Sequence, residues 1–163
     1  MTLAGRPVRA AGFTLLELLI TLGILGVLAG LTLPLAQITR QRSNEQELRR
    51  HLQEIRSAID AYKKASDEGR LPRAAGASGY PPSLEILVEG VIDQRDPGRS
   101  KLYFLRRVPV DPMLAGGSPG ESPNWGKRSY ASEAEEPQEG EDVYDVFSLS
   151  PATGLNGQPY RRW

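Results

Sequence analysis

A chain of 163 residues has room for one soluble domain of roughly 100 to 150 residues plus an extension. Twenty basic side chains offset twenty acidic ones, so no net field draws the protein to phosphate backbones and nucleic acid is not an expected partner. The absence of cysteine excludes disulfides, thiolate nucleophiles and Cys-based zinc sites; the single histidine, His51, is too little for a triad combined with a metal cluster and is expected on an exposed helical face without a catalytic role.

Residues 1–12 carry Arg6 and Arg9 and no acid, then give way to Phe13-Thr14-Leu15-Leu16-Glu17-Leu18-Leu19-Ile20, the shape of an export signal. No charged side chain follows Glu17 until Arg40, a run about as long as the ~20 residues a helix needs to cross the hydrocarbon of a bilayer. Leu18 to Leu35 can therefore span a membrane, with Gly23, Gly26 and Gly30 permitting close helix contact. Glu17 is costly to bury near the start of such a run and calls for a counter-charge. Pro34 removes a backbone donor, which predicts a kink there.

Gly12-Phe13-Thr14-Leu15-Leu16-Glu17, followed by a Leu/Ile/Gly-rich helix, resembles the leader of type IV prepilins and type II secretion pseudopilins. The resemblance implies cleavage between Gly12 and Phe13, N-methylation of Phe13, and assembly through Phe13 and Glu17, the glutamate pairing with the N-terminal ammonium of a neighbouring subunit. In a low dielectric each of those charges needs the other. A competing reading is an ordinary secretory signal cut after Val27-Leu28-Ala29, leaving Gly30 as the mature N-terminus. Arg40, Arg42, Arg49 and Arg50 follow the span and Arg6 and Arg9 precede it, so the positive-inside rule does not favour a cytoplasmic N-terminus. The resemblance alone implies that orientation, with a single pass through the bacterial inner membrane and the C-terminal domain in the periplasm.

From Ile38 onward apolar side chains recur at Leu48, Leu52, Ile55, Ile59 and Tyr62, the spacing of one helical face. No glycine or proline interrupts Gln41 to Ser66, and Asp67-Glu68-Gly69 supplies a stop with glycine at the cap. The expected helix runs from Phe13 to Ser66, ~80 Å at about 1.5 Å per residue, and its Leu48–Tyr62 seam should carry the sheet. Three segments follow from this: a leader over 1–12, a transmembrane and assembly helix over 13–38, and over 39–163 the amphipathic half of the helix with the soluble domain.

Residues 70–82 read as a Gly/Ala/Ser/Pro loop, and Ser83 is placed to cap a short helix over Leu84–Val88 that ends at Gly90. Leu102-Tyr103-Phe104-Leu105 precedes Val108-Pro109-Val110-Asp111-Pro112, whose prolines forbid a central strand and predict a structured connector. That segment resembles the family's Leu-Pro-x-Asp-Pro stretch, with Trp125-Gly126 standing for the tryptophan that follows it there, after an inserted loop at Leu114 to Asn124. Lys127–Ser132 and Val143–Leu149 are the expected strands, joined by the acidic loop Glu133–Asp142. In the second strand Val143, Asp145, Phe147 and Leu149 share one face, and Tyr144, Val146 and Ser148 the other. The expected fold class is α+β: a long N-terminal helix, transmembrane in its first half, packed against a small C-terminal antiparallel sheet in the pilin manner.

The tail from Ser148 to Tyr160, with Trp163, is similar to that of G-type pseudopilins, which implies calcium held in the loop after the last strand. Ser150 to Tyr160 contains no carboxylate, whereas Ca²⁺ sites need anionic oxygen. No cofactor or metal is therefore expected, calcium being the lesser alternative, and stacking of Tyr160 on Trp163 would secure the loop instead. The resemblance implies a structural subunit of a periplasmic pseudopilus that drives protein export by a type II secretion system. Implied partners are copies of itself, other pseudopilins, the prepilin peptidase, the inner-membrane assembly platform, the secretion ATPase and membrane lipid. A type IV pilin, minor or competence pilin is the near alternative. A membrane-tethered enzyme or binding module is the alternative of another class, but no nucleophile, base and orienting residue occur together.

Overall fold

A computed structural model describes residues 12–114 and 125–163, except for the side chains of residues 30–36. Helix α1 covers Leu15–Asp67 and α2 covers Glu85–Glu89. Strands β1 (Val91–Ile92) and β2 (Lys101–Leu102) form one antiparallel pair, β3 (Trp125–Arg128) and β4 (Asp145–Ser148) a second, and a 3-10 turn at Tyr160–Arg162 closes the chain. The architecture is α+β, as the helical and alternating patterns predict, with the β part divided into two two-stranded sheets. The contacts divide the chain into two compact units, Met1–Arg40 and Gln41–Trp163.

In the first unit the apolar side chains from Leu15 to Leu28 are 54 to 79% exposed. Leucines, isoleucines and valine occupy every face of this stretch, so no polar side is left for water. The expected span Leu18–Leu35 runs into residues 30–36, outside the described side chains, as does the predicted kink at Pro34. Among the described residues no helix is long and apolar enough to cross a membrane.

In the second unit the face of α1 at Leu48, Leu52, Ile55, Ile59 and Tyr62 is buried, joined by Ala58 and Ala65. The alternating steps of three and four residues keep this stripe in register with one side of the helix. Ile38, expected to begin it, is exposed. The helix ends in a Schellman motif: Gly69 N–H donates to Ser66 O at 3.0 Å and Arg70 N–H to Ala65 O at 3.0 Å, with Gly69 at φ 68°. Only glycine adopts that conformation without a Cβ penalty.

Leu84, Leu87, Val91, Leu105, Trp125, Val143, Val146 and Tyr160 form one core with the seam; Phe104 meets the Tyr62 ring edge-on at 5.3 Å. Helix α2 ends at Gly90 as expected, but its N-cap is Leu84, with no side-chain cap. Ser83 instead hydrogen-bonds the Glu85 carboxylate and, as the largest cause, holds its pKa below the usual value.

Two strand expectations need correction. The first strand of the larger pair begins at Trp125 and ends at Arg128, rather than spanning Lys127–Ser132, because Ser129 turns away to receive Gln138: the Ser129 N–H donates to Gln138 O at 2.9 Å. The second, β4, covers Asp145–Ser148 rather than Val143–Leu149: Val146 and Ser148 form its buried face, and Val143 is buried just ahead of it. Gly126 lies opposite Phe147, whose ring fills the place a side chain would take; a Cβ there would stand 2.3 Å from it.

The β1–β2 pair was not expected. It is built by a polar turn in which the Asp96 carboxylate accepts from the Gly98 and Ser100 N–H groups, each at 3.0 Å. The hairpin is fastened to the end of α1 by Arg70, whose Nη2 and Nε donate to Asp93 Oδ2 at 2.6 and 3.0 Å. Asp93 is only 5% exposed, and its other oxygen accepts from Arg95 N–H at 3.0 Å. Arg70 foremost, then the Arg95 amide, depress the Asp93 pKa.

A carboxylate whose folded pKa is depressed contributes stability above its unfolded pKa and loses it as pH falls through the folded value. The Arg70–Asp93 clasp is thus complete above about pH 4 and fails on further acidification. Asp93→Asn is expected to lower the neutral-pH melting temperature and to remove this part of the acid sensitivity. Thermal unfolding of both proteins across the acid range checks it; parallel pH profiles would count against the clasp.

Candidate assembly site

The first turn of α1 is organised by Thr14, whose Oγ1 accepts the Glu17 N–H at 3.2 Å while its carbonyl accepts from Leu18 N–H at 3.1 Å. Thr-x-x-Glu is the order of a capping box, and Glu17, the acid of this first turn, faces the positive end of the helix dipole. Gly12, Phe13 and Glu17 are all exposed. Phe13 lies just outside the helix, four residues before Glu17, so an amine on Phe13 and the Glu17 carboxylate lie about one helical turn apart along the chain. Below them the unit presents apolar side chains as far as Leu28, apart from glycines and Thr21, whose hydroxyl donates to Leu18 O at 3.0 Å.

Residues 8–33 match the model of the prokaryotic N-terminal methylation motif. The type II secretion system core protein G of Klebsiella pneumoniae is 32% identical over 108 residues, covering 64% of this chain and 69% of that protein. The chain belongs to the type II secretion core protein G family. The core protein G of Pectobacterium carotovorum is 32% identical over 105 residues, 64% of this chain and 62% of that protein. The pilin-like protein PilA1 of Thermus thermophilus is 41% identical over 87 residues, 53% of this chain and 54% of that protein. The chain thus spans just under two thirds of the Pectobacterium relative and about half of the Thermus one. No solved structure matches it.

In this core protein G relative the connector is a hydrogen-bonded hub. Asp111 is 1% exposed; its Oδ2 accepts from Ser148 Oγ at 2.5 Å and its Oδ1 from Met113 N–H at 2.8 Å. Trp125 donates its indole N–H to Pro109 O at 2.8 Å, so the tryptophan that follows the inserted loop returns to the proline segment, although the loop itself, residues 115–124, lies outside those described. His51 corrects its expected place: its side chain is largely buried, and Nδ1–H donates to Val110 O at 2.9 Å.

The C-terminal loop is held by α1. Glu45 Oε1, buried, accepts from Tyr160 O–H at 2.9 Å, Leu155 N–H at 2.8 Å and Gln41 Nε2 at 3.3 Å. Burial, the largest cause, pushes the Tyr160 phenol above its ordinary pKa; the Gln41 hydrogen bond opposes this and the one to Glu45 adds to it. Arg56 donates to Asp145 Oδ1 at 2.7 Å, Val146 O at 3.0 Å and the Trp163 backbone oxygen at 2.8 Å. Tyr160 meets Trp163 edge-on at 5.1 Å rather than stacked, and Arg49 covers the Trp163 ring at 4.4 Å.

The calcium that the resemblance implies does not fit this loop. The carbonyls of Ala152, Gly154 and Gln158 accept N–H groups of Tyr160, Gly157 and Gly154 within the loop. Among the described residues the carboxylate hydrogen-bonded to it is that of Glu45, whose Oε1 is taken by the three donors. Among the described residues no three His, Cys, Asp or Glu side chains gather to hold a metal.

Sequence reasoning missed Glu45 and Arg56 because their partners lie more than 80 positions away along the chain. The available signal was the helical register: Glu45 stands three residues before Leu48 on the buried stripe, where an acid needs a partner. Glu45→Ala would strand the Tyr160 hydroxyl and the Leu155 amide at a cost of about 1–3 kcal/mol. The expected result is a lower unfolding midpoint and early proteolytic cleavage between residues 150 and 160; an unchanged midpoint and cleavage pattern would refute the anchoring role.

Proposed function

We propose that this protein is a pseudopilin: a non-catalytic, membrane-anchored subunit that polymerises into a periplasmic pseudopilus driving protein export through a type II secretion system. The observation that carries this is the stretch from Leu15 to Leu28, apolar on every face, with a lone carboxylate in its first turn. Such a surface is stable in lipid or against other helices of its kind, and not in water. In the proposed sequence of events a prepilin peptidase cuts between Gly12 and Phe13 and methylates the new Phe13 amine. The subunit waits in the inner membrane as a single-pass protein with its second unit in the periplasm. An assembly platform and its ATPase then lift it into the filament, where Glu17 meets the Phe13 ammonium of a neighbour.

In the bilayer that carboxylate is costly, and docking beside a subunit that offers a cation relieves the cost. A bend at Pro34 would let the apolar half of the helix adjust to its neighbours. The likeness to a pilin-like protein of Thermus thermophilus over 87 residues supports a second reading, a type IV pilin, in which the same chemistry builds a longer fibre.

Glu17→Gln keeps the size and removes the charge. It is expected to leave membrane insertion and the unfolding of the second unit unchanged while reducing filament yield by tenfold or more, since each roughly 1.4 kcal/mol of lost contact is a factor of ten. Electron microscopy of sheared filaments from cells carrying an intact secretion apparatus provides the count; wild-type yield from the variant would overturn the assembly chemistry.

A further inference from the structure

The overall charge of zero conceals two opposed faces. Residues 95–107 hold five basic side chains, Arg95, Arg99, Lys101, Arg106 and Arg107, against one acid, Asp96. Residues 133–142 hold six acids, Glu133, Glu135, Glu136, Glu139, Glu141 and Asp142, and no base. The five basic residues and the five glutamates are all exposed. Asp96 and Asp142 are spent inside the fold, the first on its own turn and the second on Tyr130 N–H and Ser78. The ion pairs formed among the described residues use none of the five bases and none of the five glutamates. Arg161 and Arg162 border Glu135 and Glu136, and Arg73 shares a cleft with Tyr130, Glu141 and Asp142, so the negative charge of this face is softened at both ends.

Each face also carries an exposed aromatic ring already fixed by its surroundings. Tyr103, 65% exposed, lies flat against the backbone at Gly90, where a Cβ would stand 2.8 Å from the ring. Tyr130, 62% exposed, stacks on Tyr80 at 5.5 Å and meets Tyr144 edge-on at 5.6 Å. A rigid tyrosine among arginines, or among acids that complement them, is the make-up of an interface anchor, because little side-chain entropy remains to be lost on contact.

The two faces lie on segments that α1 holds through different positions. His51 ties α1 to the connector at Val110, which follows directly on the basic segment, whereas Arg56 ties it to β4. At about 3.6 residues per turn these two positions stand roughly 140° apart around the helix. Two copies related by a two-fold axis would set like charges against each other; a head-to-tail contact sets opposite ones together and repeats without closing.

We propose that the basic face of one copy, centred on Tyr103 with Arg106 and Arg107, docks on the acidic face of the next copy, centred on Tyr130 with Glu135 and Glu136. This rests on the filament reading above and gives it a periplasmic contact, separate from Glu17, that is sensitive to salt.

The test uses the full-length protein assembled in cells. Arg106→Glu with Arg107→Glu, and separately Glu135→Lys with Glu136→Lys, are each expected to cut filament yield about tenfold, with monomer melting unchanged. Combining all four substitutions in one chain restores complementarity between copies and is expected to recover most of the yield. Because the chain has no cysteine, Tyr103→Cys with Tyr130→Cys gives a clean cross-link: oxidised filaments should run as a ladder of dimers, trimers and longer species, and either single variant should not. Wild-type yield from the charge-reversed pairs, no recovery in the four-fold variant, cross-linking of Tyr103→Cys to itself, or capture only by a different secretion subunit would each overturn the docking. Absence of filaments from the unaltered protein would instead overturn the filament reading beneath it.

Discussion

One helix carries two kinds of surface, and the rest of the molecule follows from that constraint. Up to Leu28 the described side chains of α1, Glu17 and Thr21 apart, are apolar and exposed; from Glu45 the same helix is amphipathic, with one stripe buried within the second unit. Among the described residues the first part leaves its apolar side chains exposed, a surface suited to lipid or to other helices. The second part serves as the core of a small domain. In the proposed assembly, the single carboxylate at the head of the apolar part, held in a capped first turn by Thr14, would make the passage from lipid to filament a matter of charge pairing as well as of apolar contact.

The second unit is secured in a way suited to its size. Two-stranded sheets are marginal alone, and here residues of both join the core built on α1, with a few polar hubs besides. Asp111 joins the connector to β4, Glu45 gathers three donors from the C-terminal loop and α1, and Arg56 bonds β4 and the chain's last residue together. Hydrogen bonds of this kind do not add much net energy each, but leaving any one partner unmatched is costly, so they select a single arrangement of the loops. The C-terminal loop thereby closes on its own carbonyls and on one helical glutamate, in a chain whose loop carries no carboxylate to offer a cation.

Legibility in the sequence tracked the range of the interactions. The seam from Leu48 to Tyr62, the stop at Gly69, the end of α2 at Gly90 and the strand around Val146 rest on spacing or on one residue's backbone freedom, and all could be read locally. The connector was readable from its two prolines, and Trp125 as the tryptophan that follows it from the family resemblance; the hydrogen bond that returns Trp125 to Pro109 spans 16 positions and was not. The β1–β2 pair was not readable, because strands of two residues leave no alternation to see and their fastening depends on Arg70 reaching Asp93 across 23 positions. His51 looked like a surface residue because nothing nearby in sequence announces the Val110 carbonyl that draws it in. The assembly end was legible as a motif, since a carboxylate inside an apolar run is conspicuous wherever it falls.

The central claim is that the working subunit begins where the apolar helix begins, with its amine one turn from the acid. Mass analysis of the N-terminal peptide from membrane-extracted protein reads this directly. The account predicts a chain starting at Phe13 and carrying one extra methyl group on its amine; a chain starting at Gly30, freed from the apolar segment and from Glu17, would contradict it.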